Sequence, residues 1–122
     1  MKRVLIVDDD EAIRKLLRMT LPDDAYEVVE AAGGEEVGGV LEEGPPDLVV
    51  LDWKMPGVHG AFVLDELKGR HPTLPVIVLT AEGRDSQRAL ADALRADAFL
   101  TKPFSPIELL DTIERLLRPG SD

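Results

Sequence analysis

Four short apolar runs organise this chain, and each leads into a polar residue. Val4-Leu5-Ile6-Val7, Leu48-Val49-Val50-Leu51 and Pro75-Val76-Ile77-Val78-Leu79 are continuous, without alternation, and Ala98-Phe99-Leu100-Thr101 is a shorter fourth. Unbroken apolar runs of this length suit strands covered on both faces, as in parallel sheets. Five strands are predicted: Arg3–Val7, Glu27–Ala31, Leu48–Leu51, Val76–Leu79 and Ala98–Thr101, with bounds good to about 2–4 residues. The second is less apolar and reads as an edge strand.

The segments between them carry helical spacing. In the first, Ile13, Leu16, Leu17 and Leu21 form one stripe while Arg14, Lys15 and Arg18 face away, and Pro22 ends the helix. The second, Glu35–Glu42, is weak because Gly38 and Gly39 each cost about 1 kcal/mol against alanine. The third carries Val63, Leu64 and Leu67. The fourth opens near Asp85-Ser86 and carries Leu90, Ala93 and Leu94. The fifth opens on Ser105-Pro106 with Glu108, a capping box with proline at the first helical position, and its stripe is Leu109, Leu110, Ile113, Leu116 and Leu117. Alternating strands and helices of this length imply an α/β fold: a five-stranded parallel sheet with right-handed crossovers and helices on both faces.

The 122 residues suffice for one domain with one core, and 44% of them are hydrophobic, an ordinary share for a globular protein. No apolar stretch reaches transmembrane length, and Met1-Lys2-Arg3 leads directly into a strand without a signal-peptide pattern. Both facts fit a cytoplasmic protein with no membrane partner. With no cysteine there are neither disulfides nor thiolate metal sites, and a metal site is expected to work through oxygen ligands. Acids outnumber bases 24 to 14, for a formal charge of −10. Such a surface repels phosphate backbones and argues against direct nucleic-acid binding by this chain.

The polar residues at the strand ends are the candidate chemistry. Asp8 and Asp9 follow the first run, Asp52 the second and Thr80 the third, and Lys102 follows the fourth. In a doubly wound sheet the ligand site lies at the carboxyl edge where strand order reverses. In the order 2-1-3-4-5, taken from precedent for such sheets, the reversal falls between strands one and three, where Asp8, Asp9 and Asp52 sit. Three neighbouring carboxylates repel unless a cation joins them, and Mg²⁺ prefers such oxygens. Asp9 and Asp52 would bind it directly and Asp8 through water. A metal-held carboxylate can attack a phosphoryl donor, with the Thr80 hydroxyl and Lys102 ammonium taking the phosphoryl oxygens. Taken singly, an Asp after a strand is equally a turn former or helix N-cap, the reading preferred for Asp10.

The Asp8-Asp9 pair, Asp52-x-x-Met55-Pro56 with Gly60 beyond, Thr80-Ala81 and Lys102-Pro103-Phe104 together resemble the CheY-like receiver domains of two-component response regulators. The likeness spans nearly the whole chain. It implies a flavodoxin-like domain over residues 1–118, with 119–122 a terminal tail or the start of a linker. It implies that a histidine kinase or phosphotransfer protein phosphorylates Asp52. It also implies that Asp8, Asp9, Asp52 and the Lys54 backbone carbonyl hold Mg²⁺, and that Thr80 and Phe99 form a switch. The fourth helix, fifth strand and fifth helix would then meet an output domain or partner protein. A cis Lys102–Pro103 bond is implied as well. The protein would be a phosphoacceptor switch that assists its own phosphorylation and dephosphorylation, not an enzyme in the ordinary sense.

Several positions depart from that family pattern or vary within it. Arg95 stands where receivers usually have glycine, so the fourth helix lacks its usual terminator. Thr112 replaces the arginine common in receivers that dimerise through the output face, so a monomer or weak dimer is expected. Phe99 brings a ring without a hydroxyl, and simple core filling would also explain it. Lys54 and Glu82, each two residues past a site residue, flank the path of water to the phosphoryl group, and either pair across it as a gate or stay solvated. His59 and His71 have no assigned catalytic part. Trp53 adjoins Asp52 and should report metal binding. Two other functions remain open. One is a Mg²⁺-dependent phosphatase of the haloacid dehalogenase type, using Asp8-x-Asp10. The other is a degenerate receiver acting as a constitutive docking module.

Overall fold

A computed structural model describes residues 1–53, 60–80, 92 and 94–118. The elements are β1 (Lys2–Val7), α1 (Glu11–Thr20), β2 (Tyr26–Ala31), a 3₁₀ turn (Gly34–Glu36), α2 (Val37–Glu43), β3 (Leu48–Asp52), α3 (Gly60–Arg70), β4 (Val76–Thr80), β5 (Ala98–Thr101) and a C-terminal helix (Pro106–Leu117). All strand pairs are parallel, in the order β2-β1-β3-β4-β5, the flavodoxin-like doubly wound arrangement. Every expected strand is present with its bounds shifted by at most one residue, and β2 is an edge strand. The opening of the expected fourth helix, with Asp85, Ser86, Leu90 and Ala93, lies outside the described residues, as do Met55, Pro56, Ala81 and His59.

The central strands lack alternation because both of their faces are covered. Leu5, Val7, Val49, Leu51, Val76 and Val78 pack with Val37 of α2 and Val63, Leu64 and Leu67 of α3. Val4, Ile6, Leu48, Val50, Ile77 and Leu79 pack on the other face with Leu17 of α1 and Leu109 and Ile113 of the C-terminal helix. Each fully buried side chain of this kind contributes about 1.5–3 kcal/mol relative to exposure. The strand period of two therefore sorts successive residues between two half-cores.

The helix ends follow local chemistry. Asp10 caps α1 by accepting a hydrogen bond from the Ala12 N–H. Leu21, before Pro22, is extended, as a residue preceding proline must be, and α1 stops at Thr20. Ser105 Oγ accepts from the Glu108 N–H, with Pro106 at the first turn of the C-terminal helix.

Two sequence expectations need correction, those for Leu16 and Arg14. Leu16 is 41% exposed, so the α1 stripe is narrower than its apolar residues suggest. Arg14 does not face away, because its guanidinium turns inward to main chain and to Glu30. Arg95 itself adopts the left-handed conformation at φ 70° that glycine usually supplies, at a cost of about 1–2 kcal/mol. Its guanidinium donates to the Lys68 carbonyl at the end of α3. The Lys68 ammonium is buried and donates to the Leu74 carbonyl (2.8 Å) and to Asp97 Oδ2 (2.6 Å). That same Asp97 oxygen accepts from the Val76 N–H, so α3, β4 and the entry to β5 meet at one ion pair.

α2 has seven residues, no side-chain cap and two glycines in its first turn. Its backbone is accordingly the least reinforced of the described helices. Hydrogen exchange followed by mass spectrometry should show residues 37–43 exchanging faster than 11–20, and the reverse order would contradict this account.

Candidate functional site

Asp8, Asp9 and Asp52 converge at the carboxyl edge of β1 and β3. Each offers a carboxylate oxygen, and these oxygens all lie within 4.8 Å of one another. Register explains part of this meeting. Val4 pairs with Leu48 and Ile6 with Val50, so two more residues along each strand Asp8 and Asp52 continue the same face. Asp8 is 1% and Asp52 5% exposed, while Asp9 is open to solvent.

Lys102 supplies the counter-charge. Its ammonium lies 3.1 Å from Asp8 Oδ2 and 3.2 Å from Asp52 Oδ1. The main chain sets its position, because the Lys102 N–H donates to the Thr80 carbonyl, continuing the β4–β5 ladder past its last pair. The Lys102–Pro103 peptide is cis, as the family resemblance implied. Burial alone would lower the Lys102 pKa, but the charges of Asp8 and Asp52 and their hydrogen bonds outweigh it and hold the ammonium above its ordinary value.

Asp52 is under opposite pulls. Burial and then the Asp8 charge push its carboxyl up, Lys102 draws it down, a hydrogen bond with Asp9 raises it further, and the net value is about 6. The other Asp8 oxygen, Oδ1, accepts from the Asp10 N–H. Asp10 is spent on capping α1 and stands apart from the carboxylate cluster.

Thr80 is fully buried at the end of β4. By strand alternation it continues the face of Val76 and Val78, and Phe99, paired with Val78, packs into that same half-core. Trp53 is also fully buried, and its N–H donates to the Leu79 carbonyl. The Lys54 carbonyl, Lys54 side chain and Glu82 lie outside the described residues.

Two contributors to the site were not legible beforehand. One is Arg14, whose Nη1 donates to the Asp8 carbonyl at 2.7 Å. The other is the steric role of Gly60. A Cβ there would stand 2.6 Å from the Trp53 carbonyl oxygen and 2.8 Å from that of Asp52. Both obstacles are backbone, so only glycine lets α3 start against the Asp52–Trp53 segment. The position of Gly60 in the motif was the available signal, but nothing local disclosed its neighbour.

The donor set suits a hard divalent cation: among the described residues, three carboxylates lie in reach of one another with one ammonium, that of Lys102, beside two of them. Fold and site together define a class, the doubly wound α/β proteins with an acid pocket at the sheet's switch point. The family model for the response regulator receiver domain matches residues 4–114, and the chain belongs to that family.

Among its relatives is the phosphate regulon transcriptional regulatory protein PhoB of Rhizobium meliloti, 40% identical over 118 residues, covering 95% of this chain and 52% of that protein. The chain spans about half the length of the curated relatives it matches. Among solved structures, the Vibrio cholerae chemotaxis protein CheY4 superposes with a TM-score of 0.89 at 33% identity, over 96% of this chain and 99% of that one. A CheY-like receiver domain protein of Methanospirillum hungatei gives 0.90 at 32% identity, over 96% and 94%. Receiver domains are regulatory switches in two-component signalling and not classical enzymes; they work with histidine kinases and output domains. No helix among the described residues is long and apolar enough to cross a membrane.

Two outcomes test this site. Gly60→Ala should lower stability by roughly 1–3 kcal/mol in urea denaturation, and an unchanged midpoint would show that α3 can retreat without cost. Without metal, the folded Asp52 carboxyl lies above its ordinary 3.8, so the native state binds its proton more tightly. Its contribution to stability is present below about pH 4 and is lost as pH rises through about 6. Asp52→Asn should therefore raise the EDTA-treated melting temperature at pH 7 by roughly 5 °C, with the gain shrinking towards pH 4. A gain that does not vary with pH would rule out ionisation as its cause.

Proposed function

We propose that Asp52 accepts a phosphoryl group from a histidine kinase or phosphotransfer protein, in a reaction that requires Mg²⁺. The observation that carries this reading is the Lys102 ammonium bridging Asp8 and Asp52 inside a cluster of three carboxylates. Asp8, Asp9 and Asp52 would hold the ion, with the Lys54 carbonyl as a further ligand. When bound, Mg²⁺ supplies positive charge to the transferring phosphoryl oxygens and relieves repulsion among the carboxylates.

The chain's own residues do the rest. Asp52 offers a carboxylate oxygen as nucleophile: an oxygen–phosphorus bond forms on it while the bond to the donor breaks. Lys102, already poised between the acids, shifts its ammonium to a phosphoryl oxygen. The Thr80 hydroxyl donates to another. Burial of Asp52 keeps bulk water from the acyl phosphate, and Lys54 with Glu82 would gate the water that hydrolyses it. Thr80 and Phe99 lie on the same sheet face, which supports their pairing as a switch. The fourth helix, β5 and the C-terminal helix would carry the change to an output domain or partner. Residues 1–118 would form the receiver domain, with 119–122 a tail or the start of a linker.

The capping role of Asp10 weighs against the phosphatase alternative, which needs that carboxylate in the site. The constitutive docking alternative leaves the intact acid set and its lysine without a purpose.

Incubation with acetyl phosphate and Mg²⁺ should add one phosphoryl group to the intact mass, absent in Asp52→Asn and without Mg²⁺. Continuous phosphate release without an adduct would favour the phosphatase instead. Lys54→Ala and Glu82→Ala should each shorten the adduct's lifetime, and unchanged lifetimes would remove the gate.

A further inference from the structure

We propose that Arg14 is a positioning residue for the acid pocket. Its guanidinium, anchored by Glu30, fixes the Asp8–Asp9 peptide and so aims the Asp9 carboxylate at a divalent cation. This rests on the metal-binding reading above.

Arg14 sits one turn into α1 and is mostly buried, its side chain 16% exposed. Nη1 donates to the Asp8 carbonyl at 2.7 Å, and Nε donates to Glu30 Oε1 at 3.0 Å. The other Glu30 oxygen accepts from Arg18 Nε and Nη2, at 2.9 and 2.6 Å. Burial would raise the Glu30 carboxyl, but hydrogen bonds from Arg18 and Arg14, reinforced by their charges, hold it below its ordinary value. The anchor is therefore a carboxylate gripped from two sides at the far end of β2.

The geometric consequence follows from peptide planarity. The Asp8 carbonyl and the Asp9 nitrogen belong to one rigid unit, so pinning the oxygen sets the direction from which the Asp9 Cα departs. Asp8 is separately held through its N–H on the Ala31 carbonyl and its two carboxylate oxygens on Asp10 and Lys102. Asp9 is the exposed member of the cluster, and the peptide that Arg14 grips is the one leading into it. A lysine could not reproduce this, because two donors in a fixed planar relation serve two acceptors at once.

Charge and positioning make opposite predictions. A cation beside a metal site repels the metal, so on charge alone its removal should tighten Mg²⁺ binding. If Arg14 positions the pocket, its loss should weaken binding, by about 10-fold on the scale of outer-shell partners of metal ligands.

Mg²⁺ affinity should be measured by titration of Trp53 fluorescence, with the Asp9 amide resonance followed by NMR. The proteins are wild type, Arg14→Lys, Arg14→Ala and Lys15→Ala, with thermal melts in EDTA to confirm folding. Arg14→Lys holds charge constant, so its expected weakening of about 10-fold, with a shifted Asp9 amide before metal is added, isolates geometry. Lys15→Ala removes a neighbouring exposed charge and should leave affinity unchanged or slightly tighter. Arg14→Ala should weaken binding despite the same loss of charge, and should Arg14→Ala fail to fold, Arg14→Lys alone decides. Wild-type affinity in Arg14→Lys, or tightening in Arg14→Ala, would overturn the positioning role. Absence of Mg²⁺ binding by the wild type would instead overturn the metal reading beneath it.

Discussion

Burying two carboxylates side by side, with a third at the rim, is the constraint around which this fold is arranged. Left alone, such acids would protonate or force the strand ends apart. Lys102 prevents this by sharing one ammonium between Asp8 and Asp52, and its own position depends on β5 pairing with β4. The outermost strand of the sheet thus neutralises charge carried by the two central ones. The site cannot assemble before the sheet is complete, and among the described residues the completed sheet gathers three carboxylates around one ammonium.

The doubly covered sheet also divides labour between its faces. Asp8 and Asp52 extend the face packed by α1 and the C-terminal helix, whereas Thr80 and Phe99 belong to the face packed by α2 and α3. One residue of strand separates the proposed acceptor from the proposed switch. Gly60 tightens this arrangement by letting α3 begin in contact with the Asp52–Trp53 backbone.

The apolar runs made the strands legible to within one residue, because central parallel strands leave no polar face to blur their limits. The acid cluster was legible for the same reason: a polar residue directly after a buried run must emerge at the sheet edge. Pro22, Ser105 and Asp10 act through neighbours in sequence, so their effects could be read locally. Arg14, Lys68 and Arg95 could not, since their partners lie 16, 29 and 27 residues away. A basic residue on a helix reads as solvated until the fold shows what lies beneath it. Leu16 fails in the opposite direction, because an apolar residue at helical spacing carries no mark of where the covered stripe ends.

The Lys68–Asp97 pair bears on how this chain can vary over generations. Losing Asp97 strands a buried ammonium, a loss of about 3–5 kcal/mol and a large part of a small domain's stability, whereas Asp97 is exposed and can meet water if Lys68 is lost. Replacing both with apolar residues of similar volume need not be harmful. The Val76 N–H and the Leu74 carbonyl would then need new partners, which narrows the acceptable pairs further. A lineage that changes Asp97 first must pass through a poorly folded ancestor, whereas one that changes Lys68 first leaves an acid open to solvent and still bound to the Val76 N–H. Substitution at 68 can therefore precede substitution at 97, and the reverse order is the costly one.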